Sequence, residues 1–180
     1  MTPRDRIMTA CNHREPDRIP VDLAGDRASG ISAIGYAKLR KFLGLPATPI
    51  RVYAPVTQLG IVEEDVLQRF RIDAIGLGRG FALEDKHWVD WVLPDDTPCQ
   101  ILAWAKPERE PGRWVLKSGS GRVLGHMPDG ALYFDQTYWP LADEAGPSTL
   151  AEAMQECLWT AFPSPPGPLV SGADGLKTLQ

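Results

Sequence analysis

Residues 88–104 read WVDWVLPDDTPCQILAW. Two apolar stretches flank PDDTP, a cluster of turn-forming residues, so the segment predicts two short antiparallel strands. Residues 114–127, WVLKSGSGRVLGHM, repeat the arrangement around SGSG, and ALYFD at 131–135 follows Asp129 and Gly130. No helical period runs through this part of the chain. It predicts an antiparallel meander of roughly four or five short strands over about 86–135. Trp88, Trp91, Trp104 and Trp114 all lie in it. A local core beneath the meander is the expected place for these rings; left exposed, they would form an interaction surface.

Upstream the grammar differs. Thr2 and Pro3 suit an N-cap and first helical position, and Asp5 suits the positive helix end, so a short helix is predicted over 3–12. Glu15 precedes Pro16, which disfavours helix there. Ile19 to Leu23 then reads as a strand that delivers the chain to the loop AGDRASG (24–30). In ISAIGYAKLRKFLGL (31–45), Ile31, Ile34, Leu39, Phe42 and Leu43 predict a helical stripe, with Gly44 just past its end. PATP links this helix to a short apolar run, Ile50 to Tyr53. IVEEDVLQRF predicts a helix burying Val62, Val66, Leu67 and Phe70, and IDAIGL (72–77) predicts a strand. Strands alternating with helices predict an α/β protein with parallel pairing. Near the far end, STLAEAMQECLW (148–159) predicts a helix with a Thr149–Glu152 capping box. FPSPPGPLV is a proline-rich break, and SGADGLKTLQ starts a further element.

The 180 residues suit one domain, or one plus a small addition. Net charge is -4 and the charges are mixed along the chain, which argues against nucleic acid as a partner. No apolar run approaches the ~20 residues that span a bilayer, and the N-terminus is too charged for a signal peptide. Three widely spaced cysteines form neither a disulfide framework nor a zinc pattern, and the cytoplasm is the expected compartment. His13, His87 and His126 are scattered, without a partner at ligand spacing.

RDRIMTACNHREPDRIPVDLAG (4–25) resembles the opening of uroporphyrinogen-decarboxylase-like proteins, a superfamily shared with corrinoid-dependent methyltransferases. The likeness continues through SGISAIGYAKLRKFLGL, IRVYAPVTQLGIVEEDVLQRFRIDAIGLG and GRWVLKSGSGRVLGHMPDGALYFD. The resemblance implies the N-terminal part of a (β/α)8 TIM-barrel-like fold with an inserted antiparallel β-ribbon. Residues 1–80 would be the first strand-helix units, 81–140 the insertion, and 141–180 a helix, a proline-rich linker and an incomplete element. The active site would lie at the carboxyl ends of the strands.

Two departures favour the methyltransferase-like branch over porphyrinogen decarboxylation. The decarboxylases carry an arginine-rich phrase after the first strand, where DLAGDRASG holds one arginine, Arg27. They also place a catalytic aspartate where this chain reads GLGRGF. Zinc and a corrinoid would belong to a full-length parent, with no cofactor expected within these residues. The substrate-binding candidates are Asp22 and Arg27, Tyr53 and Gln58, and Arg79. Each has a plainer reading: a loop salt bridge, a packed ring, or a loop charge. GLGRG also resembles half of a dinucleotide fingerprint, but no helix begins at its glycines, and close backbone approach is the better reading. The expected partners are a small-molecule substrate and either a second copy or a complementary C-terminal half. No membrane partner is expected. The competing expectation is a non-catalytic half-barrel that self-associates through its open edges.

Overall fold

The computed structural model describes residues 1–76, 84–139, 142, 157–158 and 162–163. Helix α1 spans Pro3–Cys11, and the Thr2 hydroxyl accepts from the Asp5 N–H at 3.1 Å as its cap. Helix α2 spans Ala33–Phe42, capped by Ser32, whose Oγ accepts from the Gly35 N–H at 3.1 Å. Strands β1 (Ile50–Ala54) and β2 (Leu59–Gly60) follow, then the short helix α3 (Glu64–Arg69). The remaining elements are β3 (Trp88–Val92), β4 (Pro98–Leu102), β5 (Glu108–Glu110), β6 (Arg113–Lys117), β7 (Val123–Pro128), β8 (Asp135–Gln136), β9 (Cys157–Leu158) and β10 (Phe162–Pro163).

The predicted hairpins form. Strands β3 and β4 pair antiparallel, with Trp88 opposite Leu102 and Trp91 opposite Cys99. Their turn is closed by Leu93 N–H to Thr97 O and Asp96 N–H to Leu93 O, both 2.9 Å. Strands β5-β6-β7-β8 make an antiparallel sheet in sequence order. Where the hairpin β3-β4 goes departs from expectation. It does not stand apart as an inserted ribbon, because β4 lies parallel beside β1, with Ile50 opposite Cys99 and Val52 opposite Ile101. The first sheet therefore runs β2-β1-β4-β3.

That order overturns the barrel. A (β/α)8 barrel seats consecutive strands side by side and closes them into a ring. Here both four-stranded sheets are linear and open. The run Ile19–Leu23 reduces to one parallel bridge, Asp22 with Ala74, and never reaches β1. Ile19 is 83% exposed and Ile75 68% exposed, so neither run is a buried barrel strand. Strand β1 has its edges filled by β2 and β4 instead.

What joins 17–22 to 71–74 is polar. The Asp73 side chain is fully buried and accepts from Arg18 Nη1 at 2.7 Å, Arg18 Nη2 at 3.0 Å and the Val21 N–H at 2.9 Å. Arg6 Nη1 also donates to it, and Arg6 grips Asp17 with Nε at 2.6 Å and Nη2 at 2.9 Å. Helix α1 is thereby pinned to both segments. Charged residues are rarely fully buried unless paired, and this cluster meets that condition.

Helix α2 is rotated from the predicted stripe. Ala33, Tyr36 and Arg40 are its buried residues, whereas Phe42 is 87% exposed. One apolar core joins the helices to both sheets, holding Tyr36, Val66, Val52, Ile101, Leu116 and Met127. Trp91 and Trp114 meet edge to face at 6.1 Å across the two sheets. Cys157 and Leu158 pair as a strand with Phe162 and Pro163, not as the end of a helix; the rest of the predicted 148–159 helix and the 171–180 element lie outside the described residues. No helix among the described residues is long and apolar enough to cross a membrane.

Candidate functional site

The rotation of α2 has a chemical consequence. It turns Arg40 inward, 5% exposed, beneath the start of α3. Arg40 Nη1 and Nη2 bond Asp65 at 2.9 and 3.0 Å, Nη2 bonds the Pro46 carbonyl at 3.0 Å, and Glu63 also pairs with Nη1. Burial alone would lower the Arg40 pKa, but the bonds to Asp65 and Tyr36 and the charge of Glu63 raise it instead. The guanidinium is a fixed cation, and the same bonds hold the Asp65 carboxyl below its ordinary value. The Tyr36 hydroxyl completes the cluster, accepting from the Glu63 N–H at 2.9 Å. Arg40 Nε, by contrast, is buried without a hydrogen bond.

Beside this cluster lies a cleft of about 820 Å³. One wall is the end of α2, with Ala37, Arg40 and Lys41; a second is the linker from Leu45 to Ile50; the third is the hairpin, with Asp90–Val92 and Thr97–Cys99. The hairpin contributes a wall because β4 sits beside β1, so the sheet order creates the cleft. The lining is mainly apolar, with a few polar groups converging on it, and the volume is that of a small-molecule site. Trp91, 7% exposed, is among the lining residues, and its indole Nε1–H is buried without an acceptor. An unsatisfied buried donor costs about 1–3 kcal/mol. Cys99 also lines the cleft. Burial, then the charges of Asp90 and Asp95, push its thiol up to about 12, so it is a neutral thiol and no nucleophile.

The sequence-predicted residues are distributed elsewhere. The Asp22 carboxylate accepts from the Gly25 N–H at 2.7 Å and shapes its own loop. Arg27 lines a separate cleft of about 540 Å³ with Thr57, Leu59, Asp135 and Phe162, its guanidinium 5.5 Å from the Phe162 ring centroid. Tyr53 packs against the cluster of Trp88, Leu102, Ala105 and Phe162. Gln58 is 1% exposed; its Nε2 lies 3.3 Å from Met127 Sδ and its Oε1 lacks a donor. Arg79 lies outside the described residues. Gly76, from the same glycine-rich loop, approaches the Gly25 carbonyl so closely that an added Cβ would sit 2.7 Å from it.

Arg40 and Trp91 were absent from the sequence-based site. The spacing of Tyr36 and Arg40, one turn apart and followed by the acids of VEED, was the available signal for the first. Nothing local distinguishes a tryptophan with a satisfied N–H from one without. Among the described residues, no group of three His, Cys, Asp or Glu side chains could hold a metal ion.

No family model matches the chain, and no curated protein or solved structure matches it. The resemblance to uroporphyrinogen-decarboxylase-like proteins is therefore not supported, and the open sheets lack the barrel on which that family builds its site. The decarboxylase, methyltransferase and half-barrel readings fall with it.

Proposed function

We propose that this chain is a binding module whose 820 Å³ cleft, between the end of α2 and the β3-β4 hairpin, holds a small apolar molecule. The supporting observation is the mainly apolar lining of that cleft, with the Trp91 ring, 7% exposed, in its wall. Aromatic walls supply contact area, and a few fixed polar groups orient the guest. The raised Cys99 thiol supports a binding role for this wall over nucleophilic attack by that residue.

Amide ¹⁵N–¹H spectra of the full chain with added ethylbenzene test this. The expected result is a saturable shift at Ala37, Leu45, Ile50, Thr97 and Cys99. Shifts confined to Thr57, Phe134 and Gln136 would place the apolar site in the Arg27 cleft and sink the proposal, as would no shift at all.

A further inference from the structure

We infer that the outer edge of β3 docks an extended peptide as an added strand, with a basic residue facing Asp90 and an apolar side chain beside Trp91. The main chain supplies the first reason. The Leu93 N–H donates to the Thr97 carbonyl at 2.9 Å, which makes these two a bonded pair of the β3-β4 ladder. Bonded and non-bonded pairs alternate along an antiparallel ladder. Trp91–Cys99 and Val89–Ile101 are then bonded pairs, and Val92–Pro98 and Asp90–Gln100 are not. Pro98, which has no N–H, fits its place. The far side of β4 agrees. The Arg51 carbonyl accepts from the Ile61 N–H at 2.8 Å, away from β4, so its partner Gln100 is the β4 residue that turns its main chain toward β1. Asp90 and Val92 therefore direct their N–H and C=O groups outward. Both are exposed, β3 ends its sheet, and among the described residues no strand pairs with that edge. Such an edge is a template for another chain.

Side-chain faces then decide which peptide. Ile50, Cys99 and Trp91 stand opposite one another across three strands, so they share one face of the sheet, and all three line the 820 Å³ cleft. Asp90 and Val92 border it too, so the open edge runs along the rim of the cleft. In an added strand, the residue opposite Trp91 sets its side chain on the cleft face, and the residue opposite Asp90 on the other. The first is apolar, to match the lining; this part rests on the reading of the cleft as an apolar site. The second is Lys or Arg. Among the described residues no cation pairs with Asp90, whose carboxylate meets the Gln100 amide at 3.4 Å. The acids that flank β3, Glu84, Asp85 and Asp95, already face Lys86, Arg51 and Lys38. Lys41 lies across the cleft, on the α2 wall. A second copy is a poor occupant, because two β3 edges meeting about Asp90 would set like charges directly opposite.

The probe is acetyl-Thr-Val-Phe-Lys-Val-Thr-amide, which in antiparallel register sets Phe opposite Trp91 and Lys opposite Asp90. It is titrated into the ¹⁵N-labelled full chain. The expected result is a saturable shift of the Asp90 and Val92 amides, with their hydrogen exchange slowed. Two altered peptides separate the parts of the inference. Glu in place of Lys should bind at least about fivefold more weakly, and Asp90→Lys in the protein should reverse that order. Equal binding of the two peptides would overturn the basic partner. Ala in place of Phe should weaken binding and remove the shifts at Ala37 and Leu45 on the other walls of the cleft. Undiminished binding of the Ala peptide would overturn the side-chain part, and a silent ethylbenzene titration would then place the fault in the reading of the cleft. No shift at Asp90 and Val92 with any of the peptides would overturn the docking edge, whatever ethylbenzene does. Concentration-dependent shifts at Asp90 and Val92 in the protein alone would assign the edge to a second copy and overturn the inference equally.

Discussion

Asp73 shows how one carboxylate can hold two stretches of chain that hydrophobic patterning would leave apart. Its neighbours Val21 and Ile75 are exposed, at 39% and 68%, so apolar burial does not account for the junction. Two arginines and a backbone N–H do. Replacing Asp73 by Ala leaves both guanidinium groups facing a vacated buried position, and urea unfolding is expected to show a loss of about 3–5 kcal/mol. The junction is also pH-dependent. Burial pushes the Asp73 carboxyl up, but the Val21 N–H, Arg18 and Arg6 outweigh it and bring it below its ordinary value. A depressed folded pKa contributes stability that is complete above the unfolded value of about 3.9 and is lost as pH falls through the folded value. Urea midpoints should therefore drop steeply below about pH 4, and Asp73→Asn should flatten that slope. An unchanged slope would assign the acid sensitivity to other carboxylates.

At the scale of elements, the β3-β4 turn carries the most local information. Asp96 adopts φ +65°, a left-handed conformation that aspartate tolerates and β-branched residues do not. Asp96→Gly is expected to be neutral or mildly stabilising. Asp96→Val should cost roughly 1–2 kcal/mol in the same unfolding assay. Equal effects would mean that the turn relaxes to another form. This hairpin was legible because PDDTP, between two apolar stretches, states both the strands and the turn. The N-cap of α1 was legible in Thr2 and Pro3 for the same reason: the partners lie within one turn of chain. Helix α2 was legible as a helix but not in its orientation. Counting apolar residues favoured the Phe42 side, whereas the structure buries Tyr36 and Arg40 because Glu63 and Asp65 lie there to receive them.

At the scale of the whole molecule, what the sequence left open was which strands are neighbours. Alternating strands and helices suggested sequential parallel pairing, and nothing in IRVYA announces that its parallel partner is PCQIL, which follows only after β2, α3 and β3. The cleft depends on that long-range choice, which is why Arg40, Lys41 and Trp91 could not be assembled from local pattern. The loop AGDRASG was legible as a loop, whereas Asp22, read as the end of a strand, makes a single bridge to Ala74 and commits its carboxylate to the Gly25 N–H. The same choice makes the molecule one cooperative body, since a single apolar core includes Val52 and Ile101 of the first sheet and Leu116 and Met127 of the second. Far-ultraviolet circular dichroism and tryptophan fluorescence are expected to report coincident urea transitions. Separate midpoints for the two probes would show that the sheets unfold independently.

The sheet order is the central claim, because the core, the cleft and its proposed guest all rest on β4 lying parallel to β1. The most direct measurement is the set of cross-strand backbone nuclear Overhauser effects of Ile50 to Val52. The expected contacts run to Cys99, Gln100 and Ile101 in parallel register. Contacts from the same residues to Ile72–Ala74 instead would restore the sequential pairing of a barrel and contradict the fold, the cleft and the function proposed for it.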